Sequence, residues 1–438
     1  MTLNKPSASV SIRPFSHHRT SAENEKEKPL PVRNSKLEHL QPYPFERLRE
    51  LHKHCEHRGS LDHIPLSLGE PKHPPPSFVV EALADAQALT TQLGIYPATK
   101  GTDELRLAIS DWLQGRFGIS ADPATHILPV YGTREALFSV AQALLSGCAG
   151  SLVGMPNPFY QIYEGAALLA GARPLYIPNL AENDYRADFT GVTPAQWRAT
   201  EMVYICSPGN PTGQLMSLDE MLALIDLAHQ YDFVIISDEC YSELYYKDEL
   251  VPCSLLEAAA QYRGGSAQRP FERCLSFHSL SKRSNLPGLR SGFVAGDATL
   301  IQQYLSYRTY HGCAMSAHHQ YASALAWGDE AHVLENRALY RDKFAAVTKI
   351  LAPHYDLRQP EGGFYHWLRT PIDDLSFSQR LLEQQHITVM PGTFLGRHLD
   401  EDANSGNPGQ GHVRVAWVAG MEDCVTAAQR LAEFARSL

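Results

Sequence analysis

The 438 residues include 38 basic and 48 acidic side chains, a formal net charge of −10, with 44% hydrophobic and 20% charged residues. That balance is ordinary for a soluble globular enzyme, and the length predicts two or three domains rather than one core. No long basic block and no apolar run of membrane-spanning length occurs, which argues against nucleic acid or membrane as a partner. Eight cysteines, at 55, 148, 206, 240, 253, 274, 313 and 424, form no C-x-x-C pair. Scattered thiols suit a reducing cytoplasm better than a disulfide or zinc framework, so no metal is expected.

Residues 1–36 are rich in Ser, Pro, His and charge and lack hydrophobic periodicity. Lys5, Arg13 and Arg19 without an acid faintly resemble a transit peptide. The Glu-Lys run at 23–28 and the lack of an amphipathic helix favour a disordered tail. A helix is expected over residues 44–53, with Phe45, Leu48 and Leu51 on one face. His54 and His57 share a face there, but no further ligand accompanies them, so they read as a solvated helix end. A short strand over 64–71 ends at a Gly-Glu-Pro turn. Helices over 76–91 and 103–117, the second capped by Asp103, flank a loop at 96–101.

Strands and helices then alternate. Strands are expected at 128–131, 150–155, 172–177, 201–206, 233–238 and 273–277, and helices at 135–145, 160–170 and 218–230. This is the pattern of an α/β fold whose mostly parallel sheet is covered on both faces, with ligands at the carboxyl ends of the strands. Beyond it come a long helix over 317–351, strands at 361–368, 386–390 and 412–418, an exposed polar loop at 401–410 and a closing helix over 423–438. The expected division is a tail (1–36), an N-terminal part of a small domain (37–71), a large domain (72–312) and a C-terminal small α+β domain (313–438).

Four turns at predicted strand ends carry chemistry. Gly132-Thr133-Arg134 opens a helix, whose free N–H groups favour an anion such as phosphate. Ser207-Pro208-Gly209-Asn210-Pro211-Thr212-Gly213 is a loop stiffened by proline; it holds the Asn210 amide as a donor, with a cis bond before Pro211. Asp238 ends an apolar strand, is expected to be partly buried and needs a cationic partner, and Tyr241 projects into the same cleft. Lys282 stands among Ser279, Ser281 and Arg290, where a neighbouring cation gives an amine reason to lose its proton and become nucleophilic. Singly, each has an ordinary explanation: a connecting turn, a helix cap, a solvated lysine. Together they describe one ligand, with an aldehyde for Lys282, a protonated ring nitrogen for Asp238 and a phenolic oxygen for Asn210 and Tyr241. Its phosphate meets Gly132, Thr133, Arg134, Ser279, Ser281 and Arg290. Pyridoxal 5′-phosphate has these parts.

With S-P-x-N-P-T-G, D-E-x-Y and S-x-S-K followed by Arg290 in order, the chain from Leu37 onward resembles the class I/II aminotransferases of fold type I. The resemblance implies a fold of a large mixed sheet domain plus a smaller α+β domain. It implies that Tyr160 stacks on the cofactor ring, and that Tyr96 reaches the phosphate of a neighbouring subunit in a homodimer. It further implies that Gly69 and Asn210 line the substrate site and that Arg414 clamps the substrate α-carboxylate; without the family, Arg414 is an odd charge inside an apolar strand. The stretches at 40–48, 69–74 and 307–312 resemble the succinyldiaminopimelate aminotransferases of lysine and cell-wall synthesis. By that likeness glutamate is the donor, Lys282 carries the Cα proton, and Arg308 and Lys72 are candidate cations for a large acidic acceptor. Another transaminase (aspartate, alanine or aromatic) or a lyase with the same cradle has the same core residues. A regulator with a DNA-binding module would need a basic helix-turn-helix before Leu37, and the tail is too short and polar for one.

Overall fold

A computed structural model of the protein describes residues 34–56, 59–266, 268–399 and 406–438. In chain order its strands are β1 (Ile64–Pro65), β2 (Ile127–Val130), β3 (Leu152–Asn157), β4 (Arg173–Pro178), β5 (Thr200–Cys206) and β6 (Val234–Asp238). They continue as β7 (Cys274–Ser279), β8 (Gly292–Gly296), β9 (Tyr365–Arg369), β10 (Ile387–Thr388), β11 (Met390–Pro391) and β12 (His412–Ala416). Seven of them form one sheet in the order β2-β8-β7-β6-β5-β3-β4, in which only β8 runs against the rest.

Val203, Ile205 and Ile235 of this sheet enter one buried cluster, while Met202, Tyr204 and Ile236 enter another. Successive side chains point to opposite faces, so these strands are apolar throughout because both faces are covered by helices. Each such buried aliphatic or aromatic side chain contributes on the order of 1.5–3 kcal/mol. A third cluster joins Ile64 and Leu66 to Phe344, Phe377, Val413 and Leu431, beneath a three-stranded sheet β11-β12-β9. Among the described residues, no helix is long and apolar enough to cross a membrane.

Several expected elements differ, each for a local reason. The helix over 76–91 is two, Ser77–Ala84 and Ala86–Gln92, because the Asp85 carboxylate accepts from the N–H groups of Gln87 and Ala88 and starts a new helix. Likewise 317–351 divides into Ala317–Gly328 and Ala331–Leu351, where Asp329 caps the second through the His332 N–H. The cap of Asp103–Phe117 is Thr102 rather than Asp103, which pairs with Arg106. The strand over 386–390 is split between β10, paired with β1, and β11, paired with β12. Strand β8 and the helices Ala298–His311 and Asp374–Gln385 were not anticipated. Asn34 to Lys36, assigned above to a tail, are ordered: Asn34 caps a short helix Ser35–His39 and the Lys36 ammonium donates to the Leu169 carbonyl. The tail at 1–33, His57 and residues 400–405 lie outside the described residues. In the supposedly exposed loop at 401–410, Asn407 and Gly409 are buried, because the Asn407 amide bridges the Thr393 carbonyl and the Gly409 N–H.

Candidate active site

The carboxyl ends of β2, β3, β5, β6 and β7 open on one cavity of about 550 Å³. Thr133, Arg134, Tyr160, Asn210, Asp238, Tyr241, Ser279, Ser281, Lys282 and Arg290 line it, joined from the smaller sheet and the N-terminal segment by Arg414 and Gly69. The strand-end residues meet as the strand-end rule predicts, and Gly69 and Arg414, more than 300 positions apart, join them from outside that sheet.

Lys282 sits in the one-turn helix Leu280–Arg283, which Ser279 caps by accepting from the Ser281 N–H. The Lys282 ammonium donates to the Gly69 carbonyl at 3.0 Å. Burial pulls its pKa down to about 8; Arg290 adds to the fall, and Asp238 and Glu70 oppose it. A lysine so placed is partly neutral near physiological pH and can act as nucleophile or base.

Around it are an anion cradle and a buried acid. The helix Thr133–Leu144 starts at Gly132, φ +84°, with no side-chain cap on its first N–H groups. Gly132 does not itself line the cavity, but a Cβ there would strike the Arg290 guanidinium, so glycine lets that cation lie against the helix end. Asp238 is buried, and burial pushes its carboxyl above the usual range while two donors oppose the shift: the Tyr163 hydroxyl at 2.7 Å and the Cys240 N–H at 3.3 Å. Tyr163 and the Cys240 N–H are its partners within the chain; the cation expected for Asp238 is the ligand's ring nitrogen. Cys240 is held by a 3.0 Å contact of its sulfur with the Thr133 hydroxyl.

Arg414, the odd charge of β12, is 6% exposed. Its guanidinium donates to the Asn210 side-chain oxygen at 2.9 Å and to the Ser67 carbonyl at 2.8 Å, and lies 4.6 Å from the Tyr365 ring centroid. Its Nε is buried with no partner in the chain. Because Arg414 takes the Asn210 oxygen, the Asn210 NH₂ remains as the donor. Asn210 precedes a cis proline, as expected, and Asn157 and Ser207 do likewise. The Tyr241 and Tyr365 hydroxyls are 2.9 Å apart. A Cβ on Gly69 would strike the Tyr365 hydroxyl, so that position also requires glycine.

Two expectations need correction. Arg308 is not a substrate cation: it is 1% exposed, bound to both Glu135 oxygens at 2.9–3.0 Å, the Tyr304 hydroxyl and the Cys313 carbonyl. Lys72 lies at the surface paired with Glu70. Tyr96, expected to serve a neighbouring subunit, is 98% exposed and lies outside this chain's own cavity lining. Sequence reasoning missed Tyr43, Phe45, Leu68, Glu70, Cys240 and Tyr365 in the lining, and Tyr163 behind Asp238. For Tyr365 a signal existed in the preceding Gly362-Gly363 turn. Among the described residues, one group could hold a metal ion by spacing, Glu135, His311 and Cys313, with ligand atoms within 4.8 Å of one another. Arg308 already neutralises its carboxylate.

Residues 62–431 match the family "Aminotransferase class I and II". The LL-diaminopimelate aminotransferase of Nitratidesulfovibrio vulgaris (strain DP4) is 28% identical over 402 residues, covering 91% of this chain and 98% of that protein. Among solved structures, an aminotransferase from Neisseria meningitidis Z2491 is 45% identical with a TM-score of 0.85, covering 92% of this chain and 99% of that one. A probable N-succinyldiaminopimelate aminotransferase from Thermus thermophilus is 26% identical with a TM-score of 0.77, covering 89% of this chain and 99% of that one.

Proposed function

Since the chain belongs to the class I and II aminotransferases, we propose that it uses pyridoxal 5′-phosphate to transfer an amino group between glutamate and a diaminopimelate-type substrate. Specifically, we assign N-succinyl-LL-2,6-diaminopimelate with 2-oxoglutarate as the other oxo acid. The observation that carries the cofactor part is the lowered amine of Lys282 in one cavity with a buried carboxylate and a glycine-backed arginine. The donor set fits: Lys282 for the aldehyde, Asp238 for the ring nitrogen, Asn210 and Tyr241 for the phenolic oxygen, Tyr160 against the ring. Thr133, Arg134, Ser279, Ser281, Arg290 and the helix end behind Gly132 suit the phosphate.

When bound, pyridoxal phosphate supplies an aldehyde for amine nitrogens and a ring that delocalises the charge left at the substrate Cα. The chain's own residues do the rest. Lys282 Nζ, partly neutral at its lowered pKa, takes the proton from Cα and returns it elsewhere. Asp238, screened from water, keeps a proton on the ring nitrogen by its negative charge. Arg414 binds the α-carboxylate through the guanidinium hydrogens that Asn210 and Ser67 do not take, which orients the Cα–H bond toward Lys282.

The domain division at about residues 71 and 312 and a cytoplasmic homodimer in which Tyr96 of one subunit completes the other's site belong to the same reading; the near-complete exposure of Tyr96 supports the latter. A second substrate reading is free LL-diaminopimelate, whose distal ammonium would have to replace Lys72 as the partner of the lining carboxylate Glu70. Single-turnover absorbance changes with N-succinyl-LL-2,6-diaminopimelate, LL-diaminopimelate, aspartate and cystathionine separate these. A fast response to aspartate or cystathionine alone would sink both diaminopimelate assignments.

A further inference from the structure

Behind the cavity, four side chains form a continuous hydrogen-bonded chain. The Asn336 NH₂ donates to the backbone carbonyls of Lys282 and Arg283 at 3.2 and 3.3 Å. Its side-chain oxygen accepts from Asn285 and faces His73 Nδ1, both at 2.9 Å. His73 Nε2 faces the Lys343 ammonium at 2.7 Å, and that ammonium also donates to the carbonyls of Ala419 at 2.6 Å and Trp417 at 3.4 Å. Asn336 and Lys343 are 3% and 2% exposed.

The partners dictate the protonation of His73. An amide oxygen opposite Nδ1 requires a hydrogen there, and an ammonium opposite Nε2 requires a lone pair, so the ring is the neutral Nδ1–H tautomer. This one ring ties three pieces of the site. It lies four residues from Gly69, whose carbonyl holds the Lys282 ammonium. It reaches the Lys282 backbone through Asn336. Through Lys343 it reaches the segment just beyond β12, the strand that carries Arg414.

We propose that His73 is a positioning residue that places Lys282 and the Gly69–Glu70 segment for the amino-transfer reaction only while it is neutral. A second proton would go on Nε2 and set an imidazolium against the Lys343 ammonium, so the ring must leave its place and the Gly69 carbonyl with it. The groups facing His73 are few. Lys343 repels the proton; Tyr340, 4.6 Å away ring to ring, is a phenol that burial keeps neutral; Cys424, near Lys343, is a thiol raised by burial. On its own segment Glu70 and Lys72 pair with each other. Burial holds the His73 pKa below 6.5 against the bond to Asn336, with a smaller downward push from Lys343. A folded-state pKa below the unfolded one means that the network is fully present above about 6.5 and is lost as pH falls through the folded value.

The activity arm of the test rests on the aminotransferase reading, and the spectroscopic arm does not. Histidine-labelled holoenzyme, with His73 assigned by its disappearance in His73→Asn, should show the Nδ1–H tautomer and a pKa below 6.5 by NMR; Lys343→Met should move that pKa up. In parallel, kcat/KM of the native enzyme should fall by about tenfold per pH unit below the His73 pKa. In His73→Asn, whose amide still donates to Asn336 but does not titrate, that acid limb should flatten. An Nε2–H tautomer, or an acid limb identical in His73→Asn, overturns the proposal.

Discussion

Replacing Gly69 with alanine probes how tightly the cavity wall is built. The added Cβ falls on the Tyr365 hydroxyl, with Cζ at 2.7 Å and Cε1 at 2.9 Å. Tyr365 has little room to retreat: it is 2% exposed, its hydroxyl meets that of Tyr241, and Arg414 lies across its ring. Overpacking of this kind costs about 1–3 kcal/mol. If the segment moves instead, the Lys282–Gly69 bond is lost, and a hydrogen bond to a charged group contributes about 1.5–3 kcal/mol. Gly69→Ala should therefore lower kcat/KM by roughly 10–100-fold, at about 1.36 kcal/mol per decade. The assay is a double-mutant cycle with Tyr365→Leu, which removes all three atoms the methyl strikes. The double variant should recover at least about 1 kcal/mol beyond additivity, well clear of the roughly 0.3–0.5 kcal/mol expected of independent sites. Additive losses would refute the steric argument.

Other substitutions test the remaining roles. Lys282→Ala should abolish the visible absorbance of bound cofactor and turnover together, and borohydride treatment of the native enzyme should label Lys282 and no other lysine by peptide mass. Arg414→Lys, which keeps the charge but loses the planar fork, should reduce kcat/KM by about 10²–10³-fold at equal cofactor content, from two charge-assisted bonds of about 1.5–3 kcal/mol each, partly replaced; an unchanged KM for carboxylate substrates would contradict it. Cofactor uptake by cofactor-free protein should speed up as pH rises through about 8, because the neutral Lys282 amine is the nucleophile, and level off above it; a flat rate from about pH 6 to 9 would count against the lowered amine. Asp238 titrates above the usual carboxylate range, so its ionisation opposes folding of the cofactor-free protein as pH rises. Asp238→Asn should accordingly raise the thermal midpoint of that form at about pH 7 while stopping turnover, and a lower midpoint with normal turnover would refute both halves.

Much of the candidate site is legible in one dimension because it is made of turns next to strand ends. Asn210, Asp238, Ser279, Ser281 and Lys282 sit at or within a few residues of the carboxyl end of an apolar strand, and Arg290 just before the antiparallel β8, so the sheet brings them to one edge. Arg414 announced itself as a charge among Val413, Val415 and Ala416. The same local logic located most strands and helices to within a few residues. It failed where a short-range cap beat periodicity, at Asp85 and Asp329, and where a five-residue run served two sheets, at β10 and β11.

Contacts between distant segments could not be read this way, because no spacing encodes them. Arg308 reads as a free cation until the fold lays Glu135 against it, and the Tyr163 hydroxyl that donates to Asp238 comes from 75 positions earlier in the chain. Likewise, Gly69 needs to be glycine only because Tyr365, nearly three hundred residues away, occupies the space. From the residues alone the fold class and a set of candidate cofactor ligands could be read, since strand-end turns carry their chemistry locally. The tertiary structure alone decided which charges are already spent in internal pairs, which aromatic residues wall the substrate space, and how His73, Asn336 and Lys343 come to stand behind the reactive lysine.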